Sequence, residues 1–379
     1  MLSRPVGRCP GRFGRSELWN RGVGTSEQVP RSTSRVPTSD MASSPVAEAV
    51  MNGERILVTG GSGFIGTNLV SRLLHDGAQV LNLDVAPPRD PSHLRYWRPT
   101  DVLDRQDLNT DVARFSPTLA VHLAARTDLD GTTIHDYRAN TTGVRNVVEV
   151  FAAADPPPRR VIFASTRMVC AIGQVPTRDD EYSPSNAYGL SKVVGESMVR
   201  EAAAPFEWTI VRPTSIWGEW FAIPYRGFFD AVRHGRYVHP KGRDVLKSFG
   251  YVGNTVYQLT CLLQASPSDV DHAMFYIADY EPVSVCDMAE RIRTGFDAPR
   301  IRTVPTGALL GVGRVGDVLK RVGWTDPPLT TFRVNNLITP MAFDVGALEA
   351  VVGTLPYSLD EGIDRTVAWM RSHPRSTSA

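Results

Sequence analysis

Residues 55–77 read RILVTGGSGFIGTNLVSRLLHDG. The first six form a short apolar run that ends in glycine, which predicts a buried strand. From Gly63 onward apolar residues recur at helical spacing up to a closing glycine, Gly77, which predicts a helix. Between the two, Gly60, Gly63 and Gly66 follow a G-x-x-G-x-x-G spacing. Glycines there permit a tight turn and close approach of backbone to a phosphate. The helix N-terminus, at Phe64 and Ile65, then offers N–H groups with no partner inside the helix. A glycine loop alone also fits a purely steric strand ending, so the surroundings have to decide.

They do so through a repeating pattern. QVLNLD (79–84) predicts a second strand, DRQDLNTDVARF (104–115) a helix and TLAVHLAA (118–125) a strand. HDYRANTTGVRNVVEVFAAA (135–154) predicts one long helix, RRVIFAST (159–166) a strand, SPSNAYGLSKVVGESMVR (183–200) a helix and WTIVRP (208–213) a further strand. Strands alternating with helices imply a parallel sheet covered on both faces. The expected fold class is α/β: a Rossmann-type doubly wound sheet with a smaller C-terminal substrate-binding region. Asp84 ends the second strand, where a carboxylate accepts from the ribose hydroxyls of a dinucleotide and repels a 2′-phosphate, which favours NAD over NADP. Arg89 nearby tempers that preference.

After residue 213 the alternation weakens and Pro, Gly and aromatics increase. The expected organisation is a leader at 1–53, a dinucleotide-binding domain at 54–213 and a mainly substrate-binding region at 214–379. A strand near 248–252 is expected to return to the main sheet. The leader is rich in Arg, Ser, Pro and Gly without apolar periodicity, so it reads as disordered. Its arginines also resemble a transit peptide, but no amphipathic helix supports that, and a cytoplasmic protein is the expectation.

Composition excludes several functions. Lys+Arg total 41 against 40 for Asp+Glu, so no global field favours nucleic acid or an acidic membrane. No apolar run has the length of a bilayer span. Cys9, Cys170, Cys261 and Cys286 fall in no metal-ligand or Cys-x-x-Cys spacing, so no metal is expected and a reducing compartment fits.

Tyr188 and Lys192 stand four residues apart on one helix, hence on one face. A phenol of pKa about 10 is a poor base at neutral pH. An ammonium close by favours the phenolate, so Lys192 is placed to tune Tyr188 for moving a proton while a hydride moves to or from a nicotinamide. Taken singly, a Tyr-x-x-x-Lys pair is as readily an incidental surface feature.

TGGSGFIG (59–66), Asp84, Asp101-Val102, HLAA (122–125), Asn140, FAST (163–166), YGLSK (188–192), VRPTSIWG (211–218) and LPYSLDEGIDRTVAWM (355–370) occur together and in order. In these the chain resembles the extended short-chain dehydrogenase/reductase family, in its NAD-dependent epimerase/dehydratase branch. The resemblance implies Tyr188 as acid/base, Lys192 as its tuner and a ligand of the nicotinamide ribose, and Thr166 as hydrogen-bond partner of the reacting oxygen. It implies Asp101 and Val102 beside the adenine, Ala124 and Ala125 lining the cofactor channel, Asn140 ordering the site, and Pro213 and Thr214 near the nicotinamide amide. A homodimer through the helices at 135–154 and 188–203 is also implied. His122 reads as a buried structural histidine.

One departure narrows the reaction. Nucleotide-sugar 4,6-dehydratases of this branch carry Asp-Glu directly after the catalytic Thr, whereas Thr166 is followed by Arg167 and Met168. Dehydration is disfavoured. The leading expectation is an NAD-dependent nucleotide-sugar epimerase, most like a UDP-hexose 4-epimerase. The alternatives are a dehydrogenase or reductase acting on a sterol or other small alcohol, and a non-catalytic NAD-sensing regulator, against which the complete Thr/Tyr/Lys set argues. Arg226, Lys241, Arg243, Lys247 and Arg333 are candidates for a substrate diphosphate. Trp217, Trp220 and Phe221 are candidates to stack on a base or sugar, or simply to pack.

Overall fold

The computed structural model describes residues 51–374 except 223, 325, 326 and 328; the expectations for the leader fall outside that range. The central sheet begins with β1 (Arg55–Thr59), β2 (Gln79–Leu83), β3 (Trp97–Arg98), β4 (Leu119–His122), β5 (Arg160–Ala164) and β6 (Glu207–Pro213). Four short strands follow outside it: β7 (Ser215–Trp217), β8 (Val238–Lys241), β9 (Leu246–Lys247) and β10 (Phe249–Tyr251). The chain then re-enters the sheet with β11 (Ala273–Ile277), before the short β12 (Val283–Ser284) and β13 (Arg302–Pro305). The seven strands run in the order β11-β6-β5-β4-β1-β2-β3, and every pair is parallel. Strand order reverses between β1 and β4, so the loops leaving their carboxyl ends diverge and open a crevice.

Parallel strands covered on both faces carry apolar side chains in both directions. Ile56 and Val58 point to one face, where they join Leu69 and Leu73 of α1 (Phe64–His75) and residues further along the chain such as Leu259. Leu57 points to the other, among Leu108, Val147, Phe151 and Val161. That second layer is made by α2 (Arg105–Phe115), α3 (Thr142–Ala153) and α4 (Ala187–Glu201). The first layer also contains α6 (Val252–Gln264), packed on α1 and against β5, and α5 (Tyr225–Arg233) joins the same core.

Two expectations need correction. The strand that returns to the sheet is β11, which lies against Thr209–Pro213 of β6. The stretch near 248–252 instead forms β10 and pairs with β7 in a separate two-stranded sheet. The long helix expected at 135–154 is broken: a 3-10 segment spans Ile134–Asn140, and α3 starts only at Thr142. Tyr137 and Thr141 leave helical dihedrals there. Asn140 spends its side chain on the neighbouring loop and not on the helix, as Asn commonly does.

The aromatic candidates mostly pack. Trp217 is fully buried and stacks on Phe229 at 5.6 Å, and Phe221 meets the same ring edge-on at 5.2 Å. Trp220 lies against Trp369 of the C-terminal helix Leu359–Ser372.

Between β6 and α4 lies a buried ion pair. Arg212 donates Nε to Glu196 Oε1 (2.9 Å) and Nη2 to Glu196 Oε2 (2.8 Å). Tyr182 and Ser165 donate their hydroxyls to the same carboxylate. Burial alone would lower the Arg212 pKa, but the hydrogen bonds and charge of Glu196 hold it above its ordinary value. Removing one member of such a pair leaves the other charge stranded. Glu196→Ala is therefore expected to cost about 3–5 kcal/mol of unfolding free energy in urea denaturation. Glu196→Leu combined with Arg212→Met should recover most of it. A single-variant loss under about 1 kcal/mol, the size of an exposed pair, would show that the network carries little of the stability.

Candidate active site

The glycine loop has no room for side chains. Gly60 sits at φ +74°, and a Cβ on it would lie 2.5 Å from the Ala124 nitrogen. A Cβ on Gly66 would lie 2.2 Å from the Gly60 oxygen, and one on Gly63 3.2 Å from that same atom. The backbone after β1 is thus pressed between α1 and the loop after β4. Gly63 caps α1 with no side-chain bond, so the first-turn amides of Phe64 and Ile65 face the crevice without a helical acceptor. The Asp84 carboxylate accepts from Ser62 N (Oδ2, 3.0 Å) and Ala86 N (Oδ1, 3.0 Å), which fixes it beside the loop. Arg89 donates Nε to the Ser62 carbonyl (3.2 Å) and Nη1 to the Trp220 carbonyl (2.5 Å).

The remaining expected cofactor residues continue along the same edge. Asp101 is exposed and closes a turn by accepting from Leu103 N (2.9 Å); Val102 is buried, and its carbonyl accepts from Asn146 of α3 (2.9 Å). Ala124 donates its N–H to Thr59 Oγ1 (3.3 Å), and Ala125 is half-buried beside it. Pro213 ends β6, and Thr214 donates both its N–H and its hydroxyl to the Ile277 carbonyl. A tight glycine cradle, free helix amides and a fixed carboxylate at the second strand's end fit a dinucleotide.

Thr166, Tyr188 and Lys192 come together at the far side of the crevice. Thr166 follows β5 and is buried, accepting from Met168 N (3.2 Å). Tyr188 and Lys192 lie in the first turns of α4, capped by Asn186, whose Oδ1 accepts from Gly189 N (2.8 Å). Asn140 ties this helix to the loop after β4. Its Nδ2 donates to Ser191 Oγ (2.9 Å) and the Arg126 carbonyl (3.0 Å), and its Oδ1 accepts from Arg126 N (2.9 Å).

Burial pushes the Tyr188 phenol up to about 12, with the Thr166 hydroxyl and the Arg167 charge pulling the other way. Burial brings the Lys192 ammonium down to about 8, against the attraction of Glu196 one turn on. Lys192 Nζ donates to the Ala164 carbonyl (2.9 Å), so in the protein alone the ammonium is directed at the end of β5. His122 is held neutral near 3, first by burial and then by Lys192, with its Nδ1 2.7 Å from Thr59 Oγ1.

The substrate candidates are dispersed. Arg226 on α5 donates to the His373 carbonyl (2.8 Å) and lies over the Trp369 ring. Arg333 donates to the Pro327 carbonyl (2.7 Å), and Lys241 and Arg243 are exposed. Lys247 is buried, and so is Arg167, which in sequence marked only a missing acid. Nothing in spacing or periodicity predicts that burial, because the two residues are eighty positions apart. No cluster of metal-ligating side chains and no helix long and apolar enough to cross a membrane occurs among the described residues.

The chain is similar in sequence and in fold to known proteins. The chain is 25% identical over 331 residues to N-acetyl-alpha-D-glucosaminyl-diphospho-ditrans,octacis-undecaprenol 4-epimerase of Escherichia coli O157:H7, covering 85% of this chain and 97% of the relative. It is 28% identical over 268 residues to 3-beta-hydroxysteroid dehydrogenase of Mycolicibacterium neoaurum, covering 65% and 72%. Its fold matches UDP-glucose 4-epimerase from Thermotoga maritima with a TM-score of 0.64 at 20% identity, covering 84% of this chain and 99% of that one. Residues 56–272 match the model of the NAD dependent epimerase/dehydratase family, and the chain belongs to that family.

Proposed function

We propose that this chain is an NAD-dependent oxidoreductase of a secondary alcohol, with Thr166, Tyr188 and Lys192 as its catalytic set and net dehydrogenation as its reaction. The cofactor is NAD, which when bound supplies a hydride acceptor beside the reacting carbon. Thr166 donates to or accepts from the substrate oxygen and holds it against the phenol. Tyr188 exchanges the hydroxyl proton. With its pKa up at about 12 it is neutral throughout the physiological range, so it needs the positive charges of the assembled site before it can act as a base. Lys192, the nearest mobile ammonium on the same helix face, meets that need once it turns from the Ala164 carbonyl.

The observation that favours net dehydrogenation is the fate of the basic candidates. Arg226 donates to the His373 carbonyl, Arg333 donates to the Pro327 carbonyl and Arg243 is exposed, so none of these three candidate forks is turned to a nucleotide diphosphate in the site. The second reading is 4-epimerisation of a nucleotide-linked sugar, favoured by the near full-length similarity to a sugar 4-epimerase. An epimerase returns the hydride each cycle, whereas a dehydrogenase accumulates NADH. Absorbance of the reduced cofactor, followed across alcohols and nucleotide sugars, separates them: NADH in proportion to product supports dehydrogenation, and sugar interconversion without NADH supports epimerisation.

Tyr188→Phe is expected to lower turnover by at least a hundredfold while NAD affinity stays within about twofold, since the ring remains and only the proton is lost. Turnover within about tenfold of wild type, or 1.4 kcal/mol in barrier, would remove Tyr188 from the catalytic set.

NAD is expected to bind at least about tenfold more tightly than NADP, because Asp84 repels a 2′-phosphate and Arg89 is engaged by the Ser62 and Trp220 carbonyls. Asp84→Asn should narrow the gap in a fluorescence titration. Equal affinity in the wild type would show that Arg89 leaves those carbonyls for the phosphate.

A further inference from the structure

Two cations, Arg167 next to Thr166 and Lys247 beyond it, lie buried with no ion pair to a carboxylate among the described residues. Arg167, the residue after Thr166, is 8% exposed and Lys247 on β9 is 5% exposed. Arg167 donates Nη1 to the Met341 sulfur (3.2 Å) and Nη2 to Asn336 Oδ1 (3.5 Å). Lys247 Nζ donates to the Asn336 carbonyl and reaches the same Oδ1 at 3.4 Å. The two positive charges therefore share the Asn336 side-chain oxygen, with the Met341 thioether, a weak acceptor, on Arg167 and the neutral Asn336 backbone carbonyl on Lys247.

Two other buried cations are ion-paired, whereas Lys192, like Lys247, donates to a backbone carbonyl. Arg212 has Glu196 at 2.8 Å and Arg160 has Glu207 at 2.6 Å. A buried charge without a counter-charge is costly, and two such charges side by side repel. Lys247 registers both effects: burial first, and the Arg167 charge second, bring its pKa down to about 7. The Arg167 charge also reaches the Tyr188 phenol, so Arg167 lies within electrostatic range of the reacting oxygen.

We infer that Arg167 and Lys247 form an anion subsite, and that the substrate carries a carboxylate or phosphate close to the hydroxyl presented to Tyr188. This rests on the alcohol-oxidation reading and narrows its substrate class to hydroxy acids or phosphorylated alcohols. The Arg167 fork takes two oxygens of the anion, Lys247 the flank, and Asn336 is the neutral partner the anion displaces. An anion fixed there sets which hydroxyl reaches Thr166 and Tyr188.

The test uses the full chain saturated with NAD, and malonate, inorganic phosphate and neutral malonamide as probes. Malonate or phosphate, but not malonamide, is expected to bind in calorimetry. Arg167→Gln and Lys247→Met should each weaken that binding at least tenfold, about 1.4 kcal/mol, with NAD affinity unchanged. Arg167→Lys should retain part of it. Stronger malonate binding assigns a carboxylate, and stronger phosphate binding a phosphate. The inference is overturned if no anion binds the wild type, or if anions bind the two variants as well as the wild type. Lys247→Met should melt no lower than wild type, because it removes a repelled charge; a clearly lower melting temperature with anion binding retained makes the lysine structural and overturns it too. The two readings fail separately. Neutral alcohols turned over with NADH release, indifferent to Arg167→Gln, sink the subsite and keep the reaction. Anion binding lost in both variants, with no alcohol oxidised, keeps the subsite and sinks the reaction.

Discussion

The close approach of three backbone segments at Gly60 governs the rest of the site. The loop after β1 turns at φ +74° with the Ala124 nitrogen where a Cβ would stand, and α1 begins so tightly behind it that Gly66 also has no space. Only a chain without side chains at these points lets β1 and β4, neighbours in the sheet, send their next segments to opposite faces. The crevice between those segments exists because of that divergence. The free amides of α1 open into it for the same reason.

The other half of the site depends on a chain of polar contacts that runs under the catalytic helix. Asn140 holds α4 to the loop after β4 through Ser191 and the Arg126 backbone. Glu196, one turn beyond Lys192, is gripped by Arg212 from β6 and by Ser165 beside Thr166. Tyr188, Lys192 and Thr166 are thus positioned by partners on β6 and on the segments that follow β4 and β5. The same carboxylate that anchors Arg212 also keeps Lys192 from losing more of its basicity to burial.

What the sequence disclosed and what it concealed follow from range. The glycine loop, the alternation of strands with helices, Asp84 and the Tyr188–Lys192 spacing are local patterns, and each is found in the structure at or within a few residues of its expected place. The break at Asn140 was hidden because apolar periodicity runs through it, while the side-chain bonds that end the helix reach the loop at Arg126. The returning strand was misassigned because β10 and β11 are both short apolar runs, and only pairing partners distinguish them. The basic residues of the second half could be counted but not aimed: Arg226 and Arg333 are drawn to carbonyls, while Lys247 is buried.

Arg167 shows how one substitution changes what a shared frame can do. A residue directly after Thr166 stands beside the reacting atoms whatever its identity, because β5 and the 3-10 turn Arg167–Val169 fix the backbone there. An acid at that point can deliver and remove protons. A guanidinium instead offers a fork of hydrogen-bond donors that attracts negative charge, and the Arg167 charge favours the phenolate of Tyr188. Arg167 thus offers no acid–base chemistry at a second carbon, which is in keeping with the proposed alcohol oxidation. It also adds a positive charge to a place the fold has not neutralised. Arg160 and Arg212 are paired with carboxylates, whereas among the described residues Arg167 and Lys247 are not, and the proposed anion subsite would supply their counter-charge from solution.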